Sequence, residues 1–493
     1  MKYVKSLDVL LKDAADSEKG LKRTLGAWSL VALGIGAIIG AGLFVRTAAA
    51  SAEHAGPAVT ISFIVAAVGC AFAGLCYAEF ASMIPIAGSA YTYSYATMGE
   101  RIAWVIGWDL VLEYALGAAT VSIAWSEYLN NLLGGAIPYQ WSHSPFETSA
   151  DGVSGIMNLP ALLILLILTL VLIKGIGESA VLNTIIVFVK VAIVLVFIYL
   201  GWGYIKPENH VPYIIPAGTP GHEGFFDFGW GGILAGSGVV FFAFIGFDAV
   251  STAAQEAKNP KRDMPIGILV SLLICTVLYI LFAHVLTGIA NYTEFNTAGK
   301  EASVAYAIET HMLEYTWLAP LISIAILAGF SSVILVMLMG QSRVFYSMSK
   351  DGLVPPVFSV LHPKYKTPYK SNWLFLAFVG AFAAFVPGHV AGDMTSIGTL
   401  FAFVLVCAGI IVMRKSNPDL PRPFKTPLVP LVPILGIITC GAMIMGLGWE
   451  NWSRLLGWLA IGFVIYYGYS VKHSHVRHRQ TEVPKDPPSP TFE

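Results

Sequence analysis

Leu33-Gly34-Ile35-Gly36-Ala37-Ile38-Ile39-Gly40-Ala41-Gly42 puts four glycines into the middle of the chain's first apolar stretch. Each glycine in a helix interior costs about 1 kcal/mol relative to alanine. Unpaired amide groups in hydrocarbon cost several kcal/mol more, so a break here survives only where it lines a cavity. Close packing of small residues between helices is the competing explanation for these glycines. A second interrupted stretch, Phe241-Phe242-Ala243-Phe244-Ile245-Gly246-Phe247-Asp248, opens the second half of the chain. Paired breaks in corresponding positions of two halves point to the substrate site of a secondary transporter.

The composition places both stretches in a membrane. Of 493 residues, 56% are hydrophobic and 12% charged, about half the charged fraction of a soluble domain. The net charge of -1 offers no basic patch for nucleic acid. All five cysteines (Cys70, Cys76, Cys275, Cys407, Cys440) fall in apolar segments and read as buried thiols. The first 25 residues are polar and lack the apolar core of a cleavable signal peptide.

Apolar stretches long enough to cross about 30 Å of hydrocarbon predict twelve spans. They fall near 27–50, 57–82, 102–132, 158–174, 179–203, 229–256, 265–290, 316–347, 372–388, 393–413, 427–447 and 453–471. With both termini in the cytoplasm, 24 of the 29 lysines and arginines lie inside, the asymmetry that orients membrane helices. Residues 1–25 form a cytoplasmic segment, 26–472 the transmembrane domain and 473–493 a disordered cytoplasmic tail. The first and sixth spans run in opposite directions, as an inverted repeat of five plus five helices requires.

Half-helices ending at mid-membrane present free amides at one N-terminus and free carbonyls at one C-terminus, each with its dipole end. An α-amino acid carries a charge for each. The amides near Gly40 to Gly42 would hold its carboxylate, and carbonyls near Phe242 to Ile245 its ammonium group. Phe242 is placed to cover a ligand as a gate. Glu113 and Lys190 each lie eleven residues into a span, about 16 Å deep at the helical rise. Ionisable residues at that depth are functional candidates. Either they form a structural ion pair, or Lys190 gains and loses a proton and couples transport to a proton gradient. Asp109, one turn before Glu113, reads as a solvated or packing residue. Without a phosphate-binding Gly-x-x-x-x-Gly-Lys loop, zinc spacing or nucleophile elbow, neither enzyme chemistry nor a cofactor or metal is expected.

The chain resembles the amino acid, polyamine and organocation (APC) transporters, and within them the bacterial form of the cationic amino acid transporter branch. The resemblance is carried by GIGAIIGAG from Gly34, FFAFIGFDAVSTAAQEAKNPKRDMP from Phe241, GQSRVFYSMSKDGLVP from Gly340, HPKYKTP from His362 and PFKTPLVPLVPILG from Pro423. It implies an all-helical, LeuT-like fold with broken helices 1 and 6. It also implies a carboxylate site on the backbone of Ile38, Gly40, Ala41 and Gly42, and an amine site on the carbonyls of Phe242, Ala243 and Ile245. Phe330 and Ser331 would join Phe242 in the side-chain pocket, and Lys190 with Glu113 beside it would couple protons. Ala41 stands where some similar sequences have threonine. Absent an acidic residue aimed at a cationic side chain, the expected substrates are small neutral L-amino acids, taken up with protons across the plasma membrane. A cationic amino acid carrier, an exchanger and a non-transporting amino acid sensor are the alternatives. The expected partners are the amino acid, protons and the lipid bilayer, with room for a small membrane subunit.

Overall fold

Long apolar runs leave the backbone no partner but itself, and helices satisfy that demand. A computed structural model describes residues 3–5, 25–83, 89–175, 180–220, 222–252, 257–296 and 302–482. The helices are α1 (Ala27–Ile38), α2 (42–55), α3 (Val59–Met83), α4 (Glu100–Leu132), α5 (Leu159–Lys174), α6 (Ala180–Gly201), α7 (Gly229–Phe244), α8 (Ala249–Thr252), α9 (Pro260–Ile289), α10 (Ala319–Lys350), α11 (Tyr369–Phe385), α12 (Gly388–Ser416), α13 (Leu431–Gly446) and α14 (Gly448–Ile465). Among the described residues, extended pairing is limited to isolated bridges such as Leu25 with Ala257. The end of the sixth expected span, 253–256, lies outside the described residues.

Seven described helical stretches are long and apolar enough to cross a membrane, and α1, α5, α7 and α13 are shorter apolar helices. Their outward faces carry exposed Leu163, Ile167, Ile438 and Met445, a surface that suits hydrocarbon rather than water. The protein is an all-helical, multi-pass membrane protein.

The helices pack in two groups. In one, α9 lies against α1 and α3, and α7 against α3; in the other, α10 and α11 each lie against α4 and α5. Helix α6 touches α1, α9 and α10, while α12 contacts α3, α4 and α13. Lys190 on α6 thus sits where the two groups meet.

Buried ion pairs fix the connections. Glu79, at the end of α3 and fully buried, takes two bonds of 2.9 Å from Arg414, an ion pair at 3.2 Å from Arg422 and the Thr426 amide at 2.8 Å. This set holds the PFKTP motif against the bundle. The expected disordered tail from 473 needs correction: His475–Glu482 is helical, because Arg477 bonds Glu100 at 2.7 Å and stacks over the Tyr3 ring. Residues 483–493 lie outside the described residues.

Replacing Glu79 by alanine leaves two arginines facing an apolar helix end, and losing one partner of a buried pair costs about 3–5 kcal/mol. A lowered melting temperature of the purified E79A protein is the expected result; an unchanged melting curve would contradict the anchoring role.

Candidate functional site

Helix α1 ends at Ile38, because Ile39 turns to ψ 107° and its amide closes on the Ile35 carbonyl at 2.9 Å. The last carbonyls of a helix have no ladder partner, and two side chains from other helices supply them. Lys190 Nζ donates to the Gly36 carbonyl at 2.8 Å, and Tyr279 Oη to the Ile38 carbonyl at 3.0 Å. An ammonium group at a helix C-terminus also meets the negative dipole end, worth about 0.3–1 kcal/mol and up to ~2 where partly buried. Lys190 is 2% exposed.

The second break faces the first. Helix α7 tightens into a 3-10 turn over Phe241–Phe244, Ile245 becomes extended (ψ 134°), and Gly246 adopts φ 112°, a conformation that disfavours side chains. A Cβ on Gly246 would also lie 2.8 Å from the Ala37 carbonyl oxygen. Gly42 is as constrained: its Cβ would lie 2.2 Å from the Ala243 Cα. Tyr279 Oη lies 2.9 Å from the Ala243 carbonyl as well, so one hydroxyl spans both breaks. It has one proton to give, which the two carbonyls share.

The expected residues divide. Ile38, Gly40, Ala41 and Gly42 surround the first break, and Phe242, Ala243 and Ile245 the second. The Phe242 carbonyl already accepts from the Ile245 amide at 3.3 Å and that of Ala243 from Tyr279. A cavity of about 150 Å³ reaches Ala41 and is lined by Val45, Arg46, Thr120, Ile123 and Glu127 among others. Of the expected side-chain pocket, Phe242, Phe330 and Ser331, none lines it. Phe330 packs behind α2 against Phe44 (6.1 Å between centroids) and Tyr128 (5.6 Å), because the wide turn Gly42–Arg46 swings Phe44 toward α10. Ser331 bonds the Leu327 carbonyl of its own helix at 2.9 Å. At the cavity wall Arg46 forms an ion pair with Asp393, which is contacted in turn by Asn451 at 3.4 Å.

Glu113 and Lys190 are not brought together as an ion pair. Glu113 lies in a π-turn of α4, Leu112–Leu116, the kind of helix irregularity that recurs at functional sites. Its carboxyl faces Asp248 of the second break and Thr399 of α12. Tyr114 bonds Asp248 Oδ2 at 2.8 Å. Asp109, expected to be either solvated or a packing residue, is not solvated: it is 1% exposed and neither oxygen has a hydrogen-bond partner. Sequence reasoning missed Tyr279 and the role of Asp248. An isolated tyrosine within the apolar run of α9, and an aspartate directly after Ile-Gly-Phe, were the available signals.

The sequence model of the amino acid permease family matches residues 25–468. A branched-chain amino acid permease of Bacillus subtilis is 46% identical, covering 94% of this chain and 96% of its own. The methylthioribose transporter of the same organism is 40% identical over the same shares. A vacuolar cationic amino acid transporter of Arabidopsis thaliana is 37% identical, covering 82% of this chain and 65% of its own. With a family model spanning nearly the whole described bundle and relatives this similar along it, the chain belongs to the amino acid permease family of membrane transporters.

Proposed function

We propose that this transporter takes up neutral amino acids together with protons by alternating access across the plasma membrane, with both termini in the cytoplasm. In this reading the chain makes twelve crossings as an inverted five-plus-five repeat of the LeuT kind. The packing supports it. The group of α1, α3, α7 and α9 holds the expected first, second, sixth and seventh spans, and the group of α4, α5, α10 and α11 the third, fourth, eighth and ninth. Each group therefore pairs spans that are five apart.

The observation that carries the proposal is Lys190 on the Gly36 carbonyl, with Tyr279 bridging Ile38 and Ala243. The amides that open α2 at Gly40, Ala41 and Gly42 hold the substrate carboxylate. Carbonyls of Phe242, Ala243 and Ile245 hold its amino group, and the Phe242 ring closes over it. Loss of the Lys190 proton weakens the charge attraction that steadies the end of α1, so proton release frees one half of the site to move. Glu113 serves the proton chemistry at its own position on α4.

For substrate class, Ala41, Val45, Ala49, Ile123 and Ala124 give the cavity an apolar wall that suits an aliphatic side chain. The similar permease named for branched-chain amino acids makes leucine and valine natural probes beside alanine. Glu127 and Glu147 on the same cavity favour a second reading, a cationic substrate.

Labelled leucine and alanine in proteoliposomes test both. One proton moving down one pH unit supplies about 1.4 kcal/mol, enough for roughly tenfold accumulation of a neutral solute. Gradient-driven accumulation that resists excess arginine is expected, and its loss in Lys190→Ala. Arginine competition would move the substrate to the cationic class, and accumulation unchanged in K190A would remove the lysine from coupling. Tyr279→Phe leaves two buried carbonyls without their donor, a loss of about 1–3 kcal/mol. Uptake and melting temperature should both fall; wild-type values for both would show that the bridge is dispensable.

A further inference from the structure

The second break carries an acid that the substrate reading leaves unused. Asp248 closes the turn after Ile245 and accepts at 2.8 Å from the hydroxyl of Tyr114, the residue next to Glu113 on α4, so that the two carboxyls face each other across the boundary between the two helix groups. Both carboxyls are fully buried. Glu113 forms no ion pair among the described residues, and neither of its oxygens reaches hydrogen-bonding geometry with a partner. The hydroxyl of Tyr77 on α3, fully buried and without a hydrogen-bond partner, is turned toward both acids. Among the described residues, the titratable groups around the pair include Tyr114 and Asp109 on α4, Tyr93 of the short helix Ser89–Thr97, and Cys407 on α12 near Tyr77.

Two carboxylates in contact repel strongly where little water screens them. A carboxylic acid beside a carboxylate instead makes a short O–H···O⁻ bond. We propose that Glu113 and Asp248 form a proton-binding site, separate from Lys190, in which one shared proton latches α4 to the break between α7 and α8. The proton is taken from water and bridges one oxygen of each residue; its release returns it to water and leaves two carboxylates that push the elements apart. Asp248 leads into α8, and the chain beyond it pairs with the start of the first helix, where the Lys258 amide donates to the Leu25 carbonyl at 2.8 Å. Loss of the proton therefore acts on both interrupted helices at once. Tyr114 holds Asp248 in place in either state.

This inference deepens the transport reading and rests on it for its consequence, whereas proton occupancy is measured without transport. Infrared spectra of the purified wild-type protein at neutral pH should contain the carbonyl-stretch band of a protonated carboxylic acid, shifted in heavy water. The band should move in Glu113→Gln and in Asp248→Asn, vanish in the double variant and survive in Asp109→Asn. Absence of the band from the wild type, which needs no variant to fold, would overturn the proposal. Persistence in the double variant, or loss with D109N alone, would also overturn it. Because the spectrum is read whether or not uptake responds to a proton gradient, failure of the latch and failure of proton-coupled uptake are told apart.

Discussion

A helix cut in the middle of a membrane exposes carbonyls that hydrocarbon cannot satisfy, and the centre of this protein is organised around that constraint. The end of α1 presents the Gly36 and Ile38 carbonyls, and each receives a donor from a different helix. Those donors, Lys190 on α6 and Tyr279 on α9, are polar groups that would themselves be unstable in an apolar bundle without acceptors. Break and donors account for each other. Neither would persist alone, and the apolar packing around them excludes the water that could replace either.

The same constraint links the site to movement of whole helices. Tyr279 joins the two breaks through one proton, Gly42 and Ala243 touch backbone to backbone, and the chain before α1 pairs with the chain after α8. The interrupted helices thus behave as one unit resting on α3 and α9. Opposite them stand α4, α5, α10 and α11; Phe44 of α2 packs on Phe330 of α10 there, and polar contacts lie beside this apolar packing. Arg46 of α2 pairs with Asp393 of α12 at the cavity, and Glu113 of α4 faces Asp248 of the second break. Ionic and hydrogen-bonded contacts of this sort can be broken and remade with little change in apolar burial, which suits surfaces that must separate and close again.

The breaks were legible in the sequence because glycine marks them: Gly246 carries its φ of 112° locally, whereas Gly42 is required by the approach of Ala243 from the other break. The burial of Lys190 and Glu113 was legible from their place well inside long apolar runs. Their partners were not. A lysine at mid-membrane announces that it needs an acceptor, but the choice between a carboxylate and a helix carbonyl depends on which helices meet, and Gly36 won over Glu113. Phe330 shows the same limit, since its packing on Phe44 follows from a widened turn in α2 that no residue type signals. The helical tail likewise depends on Glu100, far away in sequence, which holds Arg477.

A map of the protein with leucine bound tests the central claim most directly. The account predicts the carboxylate within hydrogen-bond reach of the amides of Gly40, Ala41 and Gly42, and the amino group beside the carbonyls of Phe242, Ala243 and Ile245. Leucine seated elsewhere in the cavity, against Arg46 and Glu127 with neither break in contact, would contradict it.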